Sequence, residues 1–414
     1  MISLWNLWQS TAARHPNHIA IIDADTAHAW TCHELTDLAE RIASTLNGRV
    51  ISICQPNRAL WLASFLAIQK IRAAALPLEP SLPSEAEEKI VHRASRGLPV
   101  RSCCIKLTSG TTGDLKPVYC SAANLHADGE HIIRTMGIRP SDRNLAIIPL
   151  GHSYGLGNLV MPLLLQGTSV VCAQTFVPRE ILQLIEKHEV TVLPTVPAIL
   201  RALGQLKGAS FPRRLRLVIS AGAPLAAEIA QQFHGRYGIK IHNFYGSSET
   251  GGICYDRTGA ATLSGRSVGK PLHGVTIRIR RDGCVSVRGR AGSATLPDLG
   301  EWNRYGELRL LGRVGEVANI GGKKVAPAEI ERALRELRGV TDAWVTVLKD
   351  KRGNDCLATA VETRRARADI EQELLQSRPA WKLPKIWLLA LTLPRTTRGK
   401  LHASELRMRL EILI

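Results

Sequence analysis

Ten residues in the first third of the chain concentrate groups that bind phosphate. Leu107-Thr-Ser-Gly-Thr-Thr-Gly-Asp-Leu-Lys116 ends an apolar run and then supplies four hydroxyl side chains, two glycines and a lysine. Glycines let backbone N–H groups approach an anion, hydroxyls donate hydrogen bonds, and a lysine adds a point charge, so the segment can wrap a polyphosphate. It is not the Walker form, because none of the Gly-Lys pairs that begin at Gly269, Gly322 and Gly399 is followed by Ser or Thr. The competing reading is a polar hairpin turn.

Such a loop needs strand ends to hold it. The periodicity predicts helix over residues 4–13, strand over 19–22, helix over 31–46, strand over 50–54, helix over 60–71 and strand over 74–78. From residue 145 the alternation resumes, with strands at 145–148, 169–172, 190–193, 215–219 and 240–244 and a helix at 179–187. Residues 268–311 change to short alternating strands with Gly and Pro between them, as in a small β-barrel or β-layer. Beyond Arg313 the pattern predicts helix over 327–337, strand over 340–348 and helices over 368–375 and 406–414. The expected fold class is mixed α/β: a large N-terminal domain of layered sheets and helices with a small β-layer, residues 1–312, and a small C-terminal α+β domain, residues 313–414.

Composition narrows the field. With 414 residues and 45% apolar side chains the chain can bury a core, so wholesale disorder is excluded. The longest stretch without a charged side chain, residues 144–178, is broken by Pro149, Gly151, His152, Asn158, Pro162 and Gly167, which argues against a membrane span. The opening residues lack the basic start and apolar run of a secretory signal. Nine cysteines in irregular spacing, with no C-x-x-C, predict reduced thiols and a cytoplasmic setting. The net charge of +18 falls entirely after residue 100 and suits a polyanionic partner. Nucleic acid is the weakest such partner, because no stacking motif, helix-turn-helix or Cys/His finger is present.

Further motifs follow the loop in a recognisable order. Thr108-Ser-Gly-Thr-Thr-Gly-x-x-Lys116 resembles the phosphate loop of the adenylate-forming superfamily, which includes acyl-CoA synthetases, aryl-CoA ligases, non-ribosomal adenylation domains and luciferases. Phe244-Tyr-Gly-Ser-Ser-Glu249 resembles the family's Tyr-Gly-x-Thr-Glu motif, with Ser248 for Thr. Asp298, fifteen residues before Arg313, resembles its ribose-binding pair. Gly321-Gly-Lys-Lys-Val-x-Pro-x-Glu-Ile-Glu331 resembles the post-hinge loop and helix, and Leu393-Pro-Arg-Thr-Thr-Arg-Gly-Lys400 the C-terminal catalytic-lysine motif. The resemblance spans essentially the whole chain.

That resemblance implies ATP-dependent activation of a carboxylic acid to an acyl-adenylate, with release of pyrophosphate and transfer of the acyl group to a thiol. Thr108, Ser109, Gly110, Thr111, Thr112, Gly113 and Lys116 are then expected to hold phosphates. Gly222, Ala223, Tyr245, Gly246, Ser247 and Ser248 are expected around the adenosine, and Asp298 and Arg313 at the ribose. Glu249 is the expected Mg²⁺-linked acid, since this ion takes few protein carboxylates beside phosphate oxygens and water. Lys400 is expected to hold the carboxylate and α-phosphate oxygens during adenylation. His152 matches the position near the acyl carboxylate; a satisfied core histidine is the alternative. Ser220, Gly155, Gly246 and Gly251 complete the expected acyl pocket. Taken alone, Tyr245 reads as a core tyrosine and Asp298 as a turn residue.

For the thiol step, Gly321, Gly322, Lys323 and Lys324 would line a pantetheine tunnel. CoA is the favoured acceptor, and the phosphopantetheine of a separate, acidic acyl carrier protein is the second. Gly315 stands where the family usually has a hinge Asp or Lys, and glycine permits the backbone change that rotates the C-terminal domain. Leu115 replaces a common proline, and the segment between Leu76 and Leu107 is short for the family. A non-catalytic binding relative would be marked by loss of Glu249, Asp298 or Lys400, and all three are present.

Overall fold

A computed structural model gives the structure of the chain; the residues it describes are 3–109, 115–206, 208, 212–314, 318–320, 323–395 and 401–414. Contacts divide the chain into two compact units. The first comprises residues 1–278, 286–295 and 302–309, and the second residues 279–285, 296–301 and 310–414.

The first unit contains a nine-stranded sheet among the described residues. Its six central strands run parallel in the order Ile241–Ser247, Leu217–Ser220, Val192–Thr195, Arg143–Ala146, Ser169–Cys172 and Ile19–Asp23. Antiparallel strands close both edges: Gly251–Tyr255 and Lys270–Pro271 on one side, His28–Thr31 on the other. The parallel strands are short apolar runs such as Leu217-Val-Ile-Ser220, buried throughout, as expected for strands with helices on both faces. Alternate residues divide between the faces. Leu193 and Val218 join one apolar cluster with Ile181, Leu200 and Phe233 from the helices Pro178–Lys187, Pro197–Gln205 and Ala227–Tyr237. Val192, Leu217 and Ile219 join another with Ile132 and Met136 of the helix Ala122–Met136.

A second sheet orders Val50–Ile53, Ala74–Pro77, Ser102–Ser109 and Leu115–Ser121. The first three are parallel and the last two form a hairpin. The helix Ala59–Lys70 buries Trp61 and Phe65 beside it, their rings stacked with centroids 5.6 Å apart. Each such buried side chain contributes roughly 1.5–3 kcal/mol. The short segment between Leu76 and Leu107 holds the helix Ser84–Ser95 and most of the strand Ser102–Ser109. The strands Val275–Ile279, Cys284–Gly289, Gly292–Trp302 and Leu308–Arg313 pair in chain order, which gives the expected β-layer.

In the second unit, Val340–Lys349, Asp355–Thr363 and Ile386–Ala390 make a three-stranded sheet. The helices Pro327–Glu336 and Arg367–Ser377 pack Ile330, Leu334, Ile370 and Leu374 into one cluster with this sheet. Ala403–Glu411 packs Leu406 and Leu410 into another. No helix among the described residues is long and apolar enough to cross a membrane. Seven of the nine cysteines are buried, Cys54 and Cys103 half-buried.

Candidate active site

The phosphate-binding run begins on the hairpin. Thr108 stands opposite Lys116, and its hydroxyl donates to the Lys116 carbonyl at 3.4 Å. Lys116 is exposed, and Ser109 ends the first strand. Gly110, Thr111, Thr112 and Gly113 lie outside the described residues.

The ends of the central parallel strands form the next part of the site, the position at which open α/β sheets receive ligands. Thr195 pairs with Ser220, and Ser220 with Asn243. Ser220 is fully buried. Gly222 and Ala223 follow in an exposed loop. Tyr245 is half-buried opposite Cys254, so it is not a core tyrosine. Gly246 is exposed beside it. The chain then turns: the Ser247 hydroxyl accepts the Thr250 N–H at 3.2 Å and meets the Thr250 hydroxyl at 3.0 Å. Ser248 and the exposed Glu249 lie within this turn. Gly251 leaves it at φ +70°, a conformation that favours glycine, and a Cβ there would overlap the Asp128 carboxylate.

His152 takes the N-cap position of a helical segment that runs from Ser153 to Gln166, with one π-helical turn at Leu156–Val160. A Cβ on Gly155 would collide with the Pro149 carbonyl oxygen, so glycine permits this sharp entry. The His152 side chain is 62% exposed, and its Nε2 lies 3.5 Å from a Glu79 carboxylate oxygen. The core-histidine alternative therefore fails. Tyr154 fixes the segment to the sheet: its hydroxyl donates to the Ile219 carbonyl at 3.0 Å and accepts the Thr195 N–H at 3.1 Å. Burial pushes this phenol well above its ordinary pKa. Ser153 donates to the Ser248 hydroxyl at 2.9 Å. The His152 segment, the strand ends and the Glu249 turn are thereby one constellation.

In the second unit Arg313 Nε donates to Asp298 Oδ1 at 3.0 Å. Asp298 is not a turn residue. It lies within the strand Gly292–Trp302, and Arg313 ends the neighbouring strand Leu308–Arg313. The fifteen-residue spacing is the path out along one strand and back along the next. The Asp298 side chain is 15% exposed and that of Arg313 60%, so the pair presents its open side to solvent. Lys323 lies on a short hairpin formed by Ala318–Ile320 and Lys323–Val325, where Lys324 pairs with Asn319. The Lys323 ammonium stands 5.3 Å over the Trp381 ring. Gly315, Gly321, Gly322 and Lys400 lie outside the described residues. Arg395 bridges to Leu401, and its guanidinium reaches Asp342 at 3.1 Å and Glu362 at 3.0 Å.

The family model for AMP-binding enzymes matches residues 8–100 and 94–293, well over half of the chain. The chain belongs to the AMP-binding enzyme family. Its relatives include sulfoacetate–CoA ligase from Cupriavidus necator, 29% identical over 366 residues that cover 79% of this chain and 70% of the relative. Another is 4-hydroxybenzoate–CoA/benzoate–CoA ligase from Rhodopseudomonas palustris, 27% identical over 84% of this chain and 71% of that one. The fold is similar to that of ATP-bound MatB from R. palustris, with a TM-score of 0.84, 21% identity and 99% of both chains covered. It is also similar to o-succinylbenzoate CoA synthetase from Bacillus subtilis in complex with its acyl-adenylate, with a TM-score of 0.83, 22% identity and 98% of both chains covered.

In this AMP-binding enzyme Glu249 is the one predicted metal-linked acid. It makes no ion pair among the described residues, which also hold no cluster of three or more His, Cys, Asp or Glu able to bind a metal. A lone hard carboxylate at an exposed turn fits Mg²⁺, which takes few protein carboxylates beside phosphate oxygens and water, so Glu249 would hold the ion.

Sequence reasoning missed Ser153 and Tyr154, which carry the contacts that assemble the site, and Lys106 and Asp128 behind it. Lys106 left one signal, a lysine inside the apolar run Cys103-Cys-Ile-Lys-Leu107.

Proposed function

We propose that this AMP-binding enzyme is an AMP-forming acid–thiol ligase. A carboxylate oxygen of the acid attacks the α-phosphorus of ATP, the bond to pyrophosphate breaks, and an acyl-adenylate forms. The thiol of CoA then attacks the acyl carbon, the bond to AMP breaks, and a thioester results. The names of its relatives, CoA ligases for sulfoacetate and for benzoates, support CoA as the acceptor.

The observation that carries the reading is the hydrogen bond from Ser153 to Ser248. It sets His152, assigned to the acyl carboxylate, beside the turn of Glu249, assigned to the metal and phosphates. Bringing two anions together requires charge neutralisation where they meet. Mg²⁺ bound by Glu249 would supply part of it. The hairpin residues Thr108 and Lys116 add donors for phosphate oxygens, and His152 can donate to the carboxylate or the phosphate. Asp298 accepts ribose hydroxyls while Arg313 orients it. Lys400 joins the carboxylate and α-phosphate oxygens, and Gly315 is the pivot about which residues 313–414 turn for the thiol step. Gly321, Gly322, Lys323 and Lys324 then face CoA. The irregular spacing of the nine cysteines fits a reducing compartment, and we assign the reaction to the cytoplasm.

The test is exchange of labelled pyrophosphate into ATP, with hydroxylamine trapping of the acyl-adenylate, across aromatic and aliphatic carboxylic acids. The reading predicts acid-dependent exchange with AMP as the nucleotide product. Formation of ADP, or no acid-dependent product across the panel, refutes it.

A further inference from the structure

One side-chain amide outside the chemistry proposed for the site makes three hydrogen bonds to the chain that leads to His152. Asn57 is half-buried in the loop between the strand Val50–Ile53 and the helix Ala59–Lys70. Its Nδ2 donates to the Ala146 carbonyl at 3.0 Å and to the Ile148 carbonyl at 2.7 Å. Its Oδ1 accepts the Leu150 N–H at 2.9 Å. Ala146 ends the central strand Arg143–Ala146, and Leu150 stands two residues before His152.

The exposed His152 side chain is not held by packing, so its place follows from its backbone. That backbone has little slack. A Cβ on Gly151 would come within 2.3 Å of Pro77 Cβ and 3.3 Å of the Trp61 ring, so the chain runs hard against a strand end and a helix. Beyond His152, Ser153 donates to the Ser248 hydroxyl. Asn57 holds the approach to the histidine, and Ser153 holds the exit.

Backbone groups beyond a strand end need partners, and water can serve at a half-buried position. Water does not fix their spacing. A primary amide carries two N–H donors and a carbonyl on one planar group, whereas a carboxylate lacks the donors and an apolar side chain lacks both. The amide is itself carried on a firm support, because the helix that begins at Ala59 buries Trp61, Leu62, Phe65 and Leu66.

Resting on the ligase reading, we infer that Asn57 is a positioning residue for the acid half of the site: its amide fixes the chain from Ala146 to Leu150 and so places His152 against the substrate carboxylate. It is not a catalytic residue, since it acts through His152. The Glu249 turn has its own supports, the Ser247 hydroxyl at Thr250 N–H and the Asp128 carboxylate at Gly252 N–H, so nucleotide binding should not depend on this amide.

The full-length chain tests this with Asn57→Ala, which removes all three bonds, and Asn57→Asp, which keeps the acceptor and removes both donors. Each is made alone and together with His152→Ala. Pyrophosphate exchange is measured below the unfolding temperature of every variant, with the acid of the panel that the unaltered chain uses fastest, and MgATP binding is measured by titration calorimetry. Each single Asn57 variant should raise the KM for the acid or lower the exchange rate by at least about tenfold, as for a misplaced reacting group. The dissociation constant for MgATP should stay within about twofold. With His152 already replaced, either Asn57 change should alter exchange by less than about twofold, because its route to the substrate is gone. Equal losses with and without His152, or equal weakening of acid and MgATP, overturn the inference. Failure of both Asn57 variants to fold overturns it too, because the amide would then serve the fold and not the site. Failure of the unaltered chain to exchange with any acid strikes the ligase reading itself.

Discussion

Ser153 and Ser248, 95 residues apart, share a hydrogen bond of 2.9 Å in which Ser153 donates. Through it the turn that ends in Glu249 is held to the segment that begins at His152. Removing either hydroxyl by Ser153→Ala or Ser248→Ala should lower stability by about 1 kcal/mol, the usual size for a neutral hydrogen bond. The double variant should be little worse than either single one, because both remove the same contact. Urea unfolding of all four proteins gives the coupling directly, and fully additive losses would show that the bond does not form.

Glu249 is exposed, so its replacement should leave the fold intact. Glu249→Gln removes the charge while keeping the shape. Pyrophosphate exchange should fall by about a hundredfold or more, as for loss of one preorganised charge-stabilising group. The unfolding temperature should not move. Exchange within about twofold of the unaltered enzyme would remove Glu249 from the metal site.

The two half-reactions should separate at Lys400. Lys400→Ala should reduce adenylation by about a hundredfold and spare thioester formation from supplied acyl-adenylate. Equal loss in both steps would place the lysine elsewhere in the cycle. Single-turnover assays of each step decide between the two.

Asp298 is tied to Arg313 at 3.0 Å, and a carboxylate can accept several hydrogen bonds at once. Asp298→Asn should raise the KM for ATP by about tenfold, the loss of one charged hydrogen bond. It should also narrow the preference for ATP over 2′-deoxy-ATP. An unchanged preference would argue that the ribose binds at another group.

Glu307 offers a pH signature independent of activity. It is buried and accepts from Arg266 Nε at 2.8 Å and Nη2 at 3.0 Å, from Ser267 Oγ at 2.8 Å and from Asn303 Nδ2 at 2.9 Å. The Arg266 hydrogen bonds hold its carboxyl down, from 4.5 to about 2. A depressed folded value means that the unfolded chain takes up the proton first. The stabilisation is therefore complete above about pH 4.5 and fades as the pH falls towards about 2. Glu307→Gln should cost about 2 kcal/mol at neutral pH and progressively less in acid. Parallel denaturant curves at neutral pH and at about pH 3 would expose a constant difference, which would contradict this linkage.

Local chemistry made much of this architecture legible. Runs such as Ser169–Cys172 and Leu217–Ser220 read as buried strands because their Val, Leu and Ile side chains avoid water on both faces. The helix Pro178–Lys187 showed its apolar stripe at Ile181, Leu182 and Ile185. The helix Ala122–Met136 did not, because its buried face includes Asp128, Gly129, His131 and Thr135, and the helical period disappears among polar residue types. The strand Asp355–Thr363 escaped for a related reason: it is buried along nearly its whole length, but by Ala and Thr as much as by large apolar residues.

By itself the sequence determined which residues could do the chemistry and in what order they come. The run from Thr108 to Lys116, the turn from Phe244 to Glu249 and the interval from Asp298 to Arg313 are patterns of residue type and spacing, set by bonds along the chain. Tertiary structure alone decided which of them meet. Asp298 became a strand residue because it pairs with a neighbour beyond the reach of local propensity. His152 proved exposed, and Lys106 and Asp128 buried, against the ordinary habit of each residue type. Burial and contact depend on how sheets and helices pack across long sequence separations. A lysine in water and a buried one have the same letter, and only the packing distinguishes their energies.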